Sequence, residues 1–149
     1  MKLNFLCGQR ILEDYINLDA QPLPGVDTLY HVSPFYPKLP FDDNYFDEIY
    51  ANNAVEHIAN INALIQEFYR ISKNKATWYI LTPGYLDENS WNDPTHFSHW
   101  SKKILEFYVK NGCFEGRRYE PALIEYRVQG DNEHGLEFFV TVLKSEVIE

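Results

Sequence analysis

A loop over residues 84–100 carries the side chains of this chain that are best suited to proton transfer. Asp93, His96 and His99 follow one another in it at three-residue intervals, among several aromatic residues. Histidine is the side chain that most often takes a proton from a reacting group, and a neighbouring carboxylate can orient its ring. We therefore predict His96 as a general base and Asp93 as its orienting partner. The alternative is that these side chains only make hydrogen bonds within the loop.

The spacing of Asp93, His96 and His99 is also compatible with metal ligands. A metal site usually needs a third and a fourth ligand in fixed geometry. No further carboxylate or cysteine stands directly beside these three residues. We therefore predict no metal site. The chain also lacks the sharp strand-to-helix sequence that presents a serine or cysteine nucleophile.

The composition is that of one globular domain, predicted to span residues 1–149. Hydrophobic residues make up 45% and charged residues 23%, and the aromatic fraction of 16% suggests that rings line a pocket as well as the core. The net charge of −9 disfavours nucleic acid and anionic membranes as partners, because both attract basic surfaces. A small-molecule partner fits better, and a homo-oligomer stays open.

The cysteines and the first residues bear on location. Cys7 and Cys113 form no recognisable disulfide pattern and are interpreted as reduced thiols, which is typical of a cytoplasmic protein. Strand-like residues follow Met1 directly, which leaves no room for a signal peptide, and no apolar run approaches the roughly 20 residues of a membrane span. We expect a cytoplasmic protein.

Short segments rich in β-branched and aromatic residues predict the strands that position this loop. They cover residues 2–6, 16–19, 28–32, 46–51, 76–82, 119–127 and 136–144. We expect the first five strands to pair in parallel and the last two to form an antiparallel hairpin.

Helices are predicted at 58–71, where apolar residues recur three and four positions apart, and between Ser101 and Asn111. About nine residues separate the first two strands, so their crossover has room for about one helical turn at most.

Residues 39–58 contain the most specific pattern in the chain. They run from Leu39-Pro40-Phe41 through Phe46-Asp47 to Glu56-His57-Ile58. This stretch resembles LPF-x-D-x-x-FD-x-(I/V)-x-x-x-x-(V/L)-EH-(I/V), which introduces the fourth strand in small class I methyltransferases of the type 11 kind. The resemblance implies an α/β, Rossmann-like sheet with helices on its faces and S-adenosylmethionine (SAM) as cofactor. Such a sheet binds its ligand at the carboxyl ends of the strands.

Two further segments resemble motifs of this family. Residues 3–8 resemble LNLGCG, in which glycines let the backbone approach the methionine part of SAM. Residues 15–27 resemble YINxDxxPxPGVD, which implies that Asp19 accepts hydrogen bonds from both ribose hydroxyls. His31 stands where the family has an aspartate for the adenine amino group. The resemblance thus places SAM against Asn4, Leu6, Cys7, Gly8, Asp19, Ala20, His31, Val32, Asn52 and Asn53.

The resemblance also extends to the acceptor side. The string Asp93-Pro94-Thr95-His96 recurs in this family, and residues 84–100 are expected to cover the acceptor. Glu56 and His57 precede a predicted helix, where the helix dipole alone favours a carboxylate, and we interpret the pair as a structural cap.

Three positions depart from the family pattern. Leu6 replaces the first glycine, His31 replaces the aspartate, and Asn74-Lys75-Ala76 replaces a Pro-Gly-Gly turn, where Asn74 can adopt the left-handed conformation. We predict a SAM-dependent methyltransferase acting on a small-molecule or glycan-like acceptor. The alternative is a catalytically inactive protein of the same fold that binds a ligand or a partner chain. Another nucleotide-binding enzyme on this fold also stays open.

Overall fold

The computed structural model describes residues 1–111 and 124–144. The strands are β1 (Lys2–Phe5), β2 (Ile16–Asp19), β3 (Thr28–Leu29), β4 (Phe46–Asn52), β5 (Ser72–Pro83), β6 (Ile124–Gly130) and β7 (Gly135–Val142). The helices are α1 (Ile61–Ile71), α2 (Asn89–Asn92) and α3 (Glu106–Asn111), with a short 3-10 helix at Val55–His57. None of these helices is long and apolar enough to cross a membrane.

These strands form one sheet in the order β3-β2-β1-β4-β5-β7-β6. Strands β1 to β5 pair in parallel, whereas β7 pairs antiparallel with both β5 and β6. The predicted fold class, a parallel sheet with a C-terminal antiparallel hairpin, is confirmed. From β1 the chain builds outward to β3, and it then returns to place β4 on the other side of β1. An open α/β sheet binds its ligands at such a switch point.

The crossover from β1 to β2 contains no helix, as its length predicted. Two buried asparagines hold this loop in place. Asn4 Nδ2 donates to the carbonyl of Arg10, and Asn17 exchanges hydrogen bonds of 2.9 and 3.0 Å with the backbone of Leu12. These side chains supply the backbone partners that a helical crossover would provide internally.

The boundaries differ from the prediction at several elements, and α1 begins at Ile61 instead of residue 58. Strand β3 ends at Leu29, and β5 begins at Ser72 instead of residue 76. Lys75, with φ of +66°, takes the left-handed conformation predicted for Asn74, so that prediction is wrong. The Asn74 side chain instead accepts a hydrogen bond from the Lys144 amide at 3.0 Å.

Helix α3 begins at Glu106, because residues 102–105 form turns where the sequence predicted helix from Ser101. The residues that were expected to end this helix and to begin strand 119–127 fall partly in 112–123, outside the described residues, as does Cys113. The hairpin turn between β6 and β7 lies at the predicted residues 130–132 and extends to residue 134.

Helix α1 covers one face of the sheet. Its Phe68 contacts Phe5 of β1 and Trp78 of β5 edge-on, with ring centroids 5.0 and 5.5 Å apart. Asn60 caps the helix by accepting a hydrogen bond from the Ala63 amide. Alternate residues of β4, β5 and β7 are buried on this side, which is the pattern of a sheet with one buried face.

The opposite face carries half-buried aromatic rings. Tyr50 stacks on Tyr79, and Tyr79 contacts Phe139, with centroid separations of 5.5 and 5.1 Å. Arg127 lies over the Phe139 ring at 3.9 Å. Together with neighbouring residues these side chains line a groove of about 790 Å³.

Candidate cofactor and acceptor site

The parallel strands β1, β2, β4 and β5 end at one edge of the sheet, which we call the carboxyl edge. Their last residues are Phe5, Asp19, Asn52 and Pro83. Because polar residues and turns follow each of these strands, the carboxyl edge gathers the residues predicted to bind a cofactor and an acceptor. The site has two ends, one after β1 and β2 and the other after β4 and β5.

After β1, the backbone makes a tight turn with two left-handed residues. Leu6 has φ of +48° and Gly8 has φ of +53°. Positive φ is uncommon for a bulky residue, because the side chain crowds the backbone in this conformation. The Leu6 side chain is half-buried and packs against the core. Leu6 therefore adopts a backbone conformation that suits glycine, and the part of its side chain that does not contact the core stays exposed at the turn.

Asp19 connects the ends of β1 and β2. Its Oδ2 accepts from the Gly8 amide at 2.8 Å, and its Oδ1 accepts from the Gln21 amide at 2.9 Å. A carboxylate has about four acceptor positions, so about two remain for other donors. The half-buried carboxylate is thus already oriented, with Gly8 beside it in open space and the exposed Ala20 next in the chain.

Asn4 and Cys7 are buried. Asn4 Nδ2 donates to the Arg10 carbonyl and to Asn17 Oδ1, at 2.6 and 2.8 Å, so both of its N–H groups are used within the protein. Burial, together with the charge of Asp19, raises the pKa of the Cys7 thiol to about 11. Asn4 and Cys7 hold the turn in shape from the inside.

His31 and Val32 follow β3 but face different surroundings. His31 is exposed, whereas Val32 is buried in the hydrophobic core. The Tyr30 amide donates to the Asp19 carbonyl at 2.9 Å, which keeps this segment beside the end of β2. The structure therefore brings His31 toward the same end of the carboxyl edge as Asp19.

Asn52 and Asn53 mark the transition to the β4–β5 end. Asn52 Nδ2 donates to the Tyr50 hydroxyl at 2.9 Å, and Asn52 Oδ1 is buried without a partner among residues 1–111 and 124–144. Asn53 adopts φ of +50° and donates its backbone N–H to the Leu81 carbonyl. The Asn53 side chain is exposed.

Glu56 is more deeply buried than expected for a residue that caps a helix. Its side chain is buried, with Oε2 accepting from the Thr82 hydroxyl at 2.9 Å and Oε1 without a partner in the described part of the chain. Burial raises the pKa of this carboxyl group. The Glu56 carbonyl also accepts from the amides of Phe97 and Ser98, which ties the loop 84–100 to the sheet. We interpreted Glu56 from the sequence as a cap, and the structure instead places its carboxyl group inside the site.

The imidazoles of His57 and His96 contact each other, with ring centroids 4.8 Å apart. His57 Nδ1 lies 3.0 Å from the Thr95 carbonyl, and His96 Nδ1 lies 2.9 Å from the Asn89 carbonyl. A carbonyl only accepts, so these contacts assign the proton of each neutral ring to Nδ1. Each Nε2 then keeps a lone pair.

Asp93 lies beside this pair but bonds mainly to its own loop. Its Oδ1 accepts from the Thr95 amide and hydroxyl at 2.8 and 2.6 Å, and these hydrogen bonds lower the pKa of Asp93. Its Oδ2 lies 3.5 Å from His96 Nε2. The carbonyl of Asn89, which sequence reasoning missed, contacts the opposite nitrogen of His96 and fixes the ring.

His99 turns away from the other two histidines. It stacks on Trp91 with centroids 3.5 Å apart, and its Nδ1 lies 2.7 Å from the Ser90 hydroxyl. The structure therefore brings His96 together with Glu56 and His57, rather than with His99. Glu56, His57 and His96 line a cavity of about 440 Å³, which Asn53 and Thr82 also border.

Comparisons with known proteins find a resemblance to one family over part of the chain. Residues 15–80 match the family model described as a methyltransferase domain. The resemblance to type 11 methyltransferases is confirmed. No curated protein matches the chain.

Solved structures show the same methyltransferase fold over nearly the whole chain. A SAM-dependent methyltransferase from Archaeoglobus fulgidus is 14% identical with a TM-score of 0.68, over 94% of this chain and 85% of that one. The YcgJ protein from Bacillus subtilis is 12% identical with a TM-score of 0.69, over 97% and 92% of the two chains. A SAM-dependent methyltransferase from Aquifex aeolicus is 16% identical with a TM-score of 0.60, over 95% and 81%.

The matched stretch contains some of the site residues and leaves out others. Asp19, Asn53 and Glu56 lie within residues 15–80, whereas the Leu6–Gly8 turn precedes the match and His96 follows it. The match to the methyltransferase-domain model therefore covers the middle of the carboxyl edge, and the turn after β1 and the loop 84–100 lie outside it.

Proposed function

We propose that this protein is a SAM-dependent methyltransferase whose acceptor is a small molecule or a glycan-like compound. The observation that carries the proposal is Asp19, an oriented carboxylate at the end of β2 with about two acceptor positions left. Two adjacent ribose hydroxyls need two such positions. The methyltransferase-domain match over residues 15–80, which includes Asp19, supports the same proposal.

In this proposal SAM extends along the carboxyl edge from β2 to β4. The ribose lies on Asp19 beside Ala20, and the adenine lies near His31 and Val32. The methionine part passes Leu6, Cys7 and Gly8, over a turn whose inner side Asn4 supports, and ends at Asn52 and Asn53. The open space around Gly8 and the unpartnered Oδ1 of Asn52 favour this direction.

The acceptor occupies the cavity of about 440 Å³ at the β4–β5 end. Bound SAM would supply an electrophilic methyl carbon, and in-line attack by the nucleophilic atom of the acceptor would release S-adenosylhomocysteine. The proton of a hydroxyl or amine acceptor passes to His96 Nε2, whose lone pair is free when Nδ1 donates to the Asn89 carbonyl. Asp93, 3.5 Å from that nitrogen, then stabilises the charged ring.

A second candidate function is favoured by Leu6. A leucine in a glycine position brings a side chain to the turn that passes the methionine part of SAM, and this supports a protein that kept the fold and lost the reaction. Such a protein would bind a ligand or a partner chain without turnover.

Release of S-adenosylhomocysteine distinguishes the two functions. The purified chain is incubated with SAM and a panel of hydroxyl, carboxyl and amine acceptors, including glycans and a small-molecule cell extract. Methyl transfer predicts product release that depends on one class of acceptor. If SAM binds and no acceptor in the panel or the extract is methylated, the second candidate replaces the first.

A further inference from the structure

Glu56, His57 and His96 form a cluster whose geometry methyl transfer does not require. One carboxylate oxygen and one nitrogen from each imidazole all lie within 4.8 Å of one another. Glu56 and His57 come from the segment after β4, whereas His96 comes from the loop 84–100. The fold therefore brings together two histidines and a carboxylate that are separated in sequence.

The unpartnered oxygen of Glu56 indicates that the cluster is incomplete. The side chain is only 1% exposed, and Oε1 has no hydrogen-bond partner among the described residues. Buried carboxylates are normally paired with a cation, hydrogen-bonded or bound to a metal. Neither lysine nor arginine is among the described residues that line this cavity, whereas Asp87 and Glu137 are. The described lining of the cavity is thus acidic, and it favours a cationic ligand.

The two histidines are held in the manner of metal ligands. Each directs Nδ1 at a backbone carbonyl, of Thr95 or Asn89, and so leaves Nε2 with a lone pair. Histidines that bind metals usually donate their second ring nitrogen to a carbonyl or carboxylate in this way. The contacts with these two carbonyls are therefore the supporting shell that a metal site needs.

We propose that Glu56, His57 and His96 bind a divalent transition-metal cation, with Zn²⁺ as the best-suited ion and an open coordination position facing the cavity. Two imidazoles and a carboxylate suit zinc and its first-row neighbours, whereas Mg²⁺ and Ca²⁺ prefer oxygen ligands alone. Ligands at about 2.0–2.2 Å from zinc lie roughly 3.4 Å apart in a tetrahedron. Small side-chain movements close the present separations to that value.

This site is independent of whether the chain transfers methyl groups. If it does, a bound cation faces the acceptor and promotes loss of its proton, and His96 Nε2 is then no longer available as the base. Asp93, at 3.5 Å from that nitrogen, adds negative charge beside the cation.

The test measures metal binding directly, without SAM. The chain is stripped with a chelator and titrated by calorimetry with Zn²⁺, Mn²⁺ and Mg²⁺. The variants are Glu56→Gln, His57→Gln and His96→Gln, and the control is His134→Gln, which changes an exposed histidine outside the cluster. We expect one Zn²⁺ per chain, much weaker Mg²⁺ binding, and parent-like zinc binding in the control.

Each cluster variant should weaken zinc binding by more than the roughly 10–100-fold that loss of a supporting partner costs. The proposal is overturned if the folded parent binds no zinc at one equivalent, or if the three variants bind zinc as tightly as the parent. Circular dichroism checks that each variant is folded. If one is not, the visible spectrum of the Co²⁺-loaded parent decides, since a six-coordinate aqua-like spectrum contradicts a low-coordinate site with two imidazoles. SAM binding is measured separately in chelator, so a failed metal site leaves the proposed function standing.

Discussion

The two ends of the carboxyl edge differ in the hydrogen-bond partners of their carboxylates, Asp19 at one end and Glu56 at the other. At the β1–β2 end, both oxygens of Asp19 accept backbone amides at 2.8 and 2.9 Å. At the β4–β5 end, Glu56 is more deeply buried and one of its oxygens has no partner. A carboxylate oriented by amides is ready for a neutral ligand, whereas a buried oxygen without a partner destabilises the free protein. We infer that the first end is preformed and the second is completed only by its ligand.

The largest expected effect is that of His96→Ala on turnover. If His96 takes the proton of the acceptor, this change should lower the turnover number by about a hundredfold or more and leave SAM affinity nearly unchanged. Steady-state assays of S-adenosylhomocysteine release measure it, with His134→Ala as the control. Unchanged turnover in His96→Ala would mean that methyl transfer here needs positioning alone.

The same assay in chelator separates the two roles of His96. A parent protein that turns over normally in chelator does not need the cation, and His96 Nε2 is then available as the base. A parent that loses turnover on chelation and regains it with Zn²⁺ relies on the cation.

The comparison of the two ends also predicts a gain in stability from Glu56→Gln. In the metal-free protein, replacing a buried charge by a neutral amide of similar shape should raise the free energy of unfolding by about 1 kcal/mol. Denaturant unfolding in the presence of chelator measures it. The matched variant Glu48→Gln, on a half-buried carboxylate that accepts a hydrogen bond from Tyr15, should not be stabilised. Equal or lower stability of Glu56→Gln would show that the unpartnered oxygen does not destabilise the fold.

Leu6 allows a test of the turn at the β1–β2 end. Glycine at position 6 increases the conformational entropy of the unfolded chain, which lowers stability. It also removes the left-handed strain of Leu6, whose φ is +48°, and that strain costs about 1–2 kcal/mol. Leu6→Ala is the matched control, since it shortens the side chain and retains the strain. We expect Leu6→Gly to be more stable than Leu6→Ala by about 1 kcal/mol in denaturant unfolding.

Leu6→Gly should also bind SAM more tightly than the parent, because it removes the side chain that we expect to crowd the methionine part. Equal affinities, measured where both proteins are folded, would show that the cofactor avoids Leu6.

The smallest expected effect concerns Cys7. With its pKa raised to about 11, the thiol stays protonated at neutral pH and should react with iodoacetamide far more slowly than in the unfolded chain. Because the folded pKa lies above the ordinary 9.0, this group favours folding below about pH 9, and its contribution is lost as the pH rises through about 11. Peptide mass spectrometry of the alkylated protein measures the labelling. Fast labelling of native Cys7 at pH 8 would contradict its burial.

The sequence predicted the positions and directions of the strands well, because each strand has its own run of β-branched and aromatic residues. It predicted less well where backbone conformation depends on distant partners. Asn74 was the expected left-handed residue, yet Lys75 takes that conformation while Asn74 bonds to the Lys144 amide. Such a contact between residues far apart in the chain leaves no local signal.

Within the site, the residue types indicated the chemistry, but the sequence did not predict which of these residues lie next to one another in the fold. Spacing connected His96 to His99, whereas the fold turns His99 onto Trp91 and places His96 against His57. The Glu56-His57 pair was visible in the sequence as part of a family pattern. Only the path of the loop 84–100, held by the Glu56 carbonyl, reveals that this carboxyl group is enclosed beside a second histidine.

Calorimetric titration of SAM into the parent and into Asp19→Ala tests whether the β1–β2 end is a preformed cofactor site. The account predicts saturable binding to the parent, and a loss of about ten- to a hundredfold in affinity for Asp19→Ala, since hydrogen bonds to a charged group are worth about 1.5–3 kcal/mol. Asp42→Ala, at an exposed aspartate before β4, should bind SAM like the parent. Absence of SAM binding to the folded parent at millimolar ligand, or equal affinity in Asp19→Ala, would contradict the account.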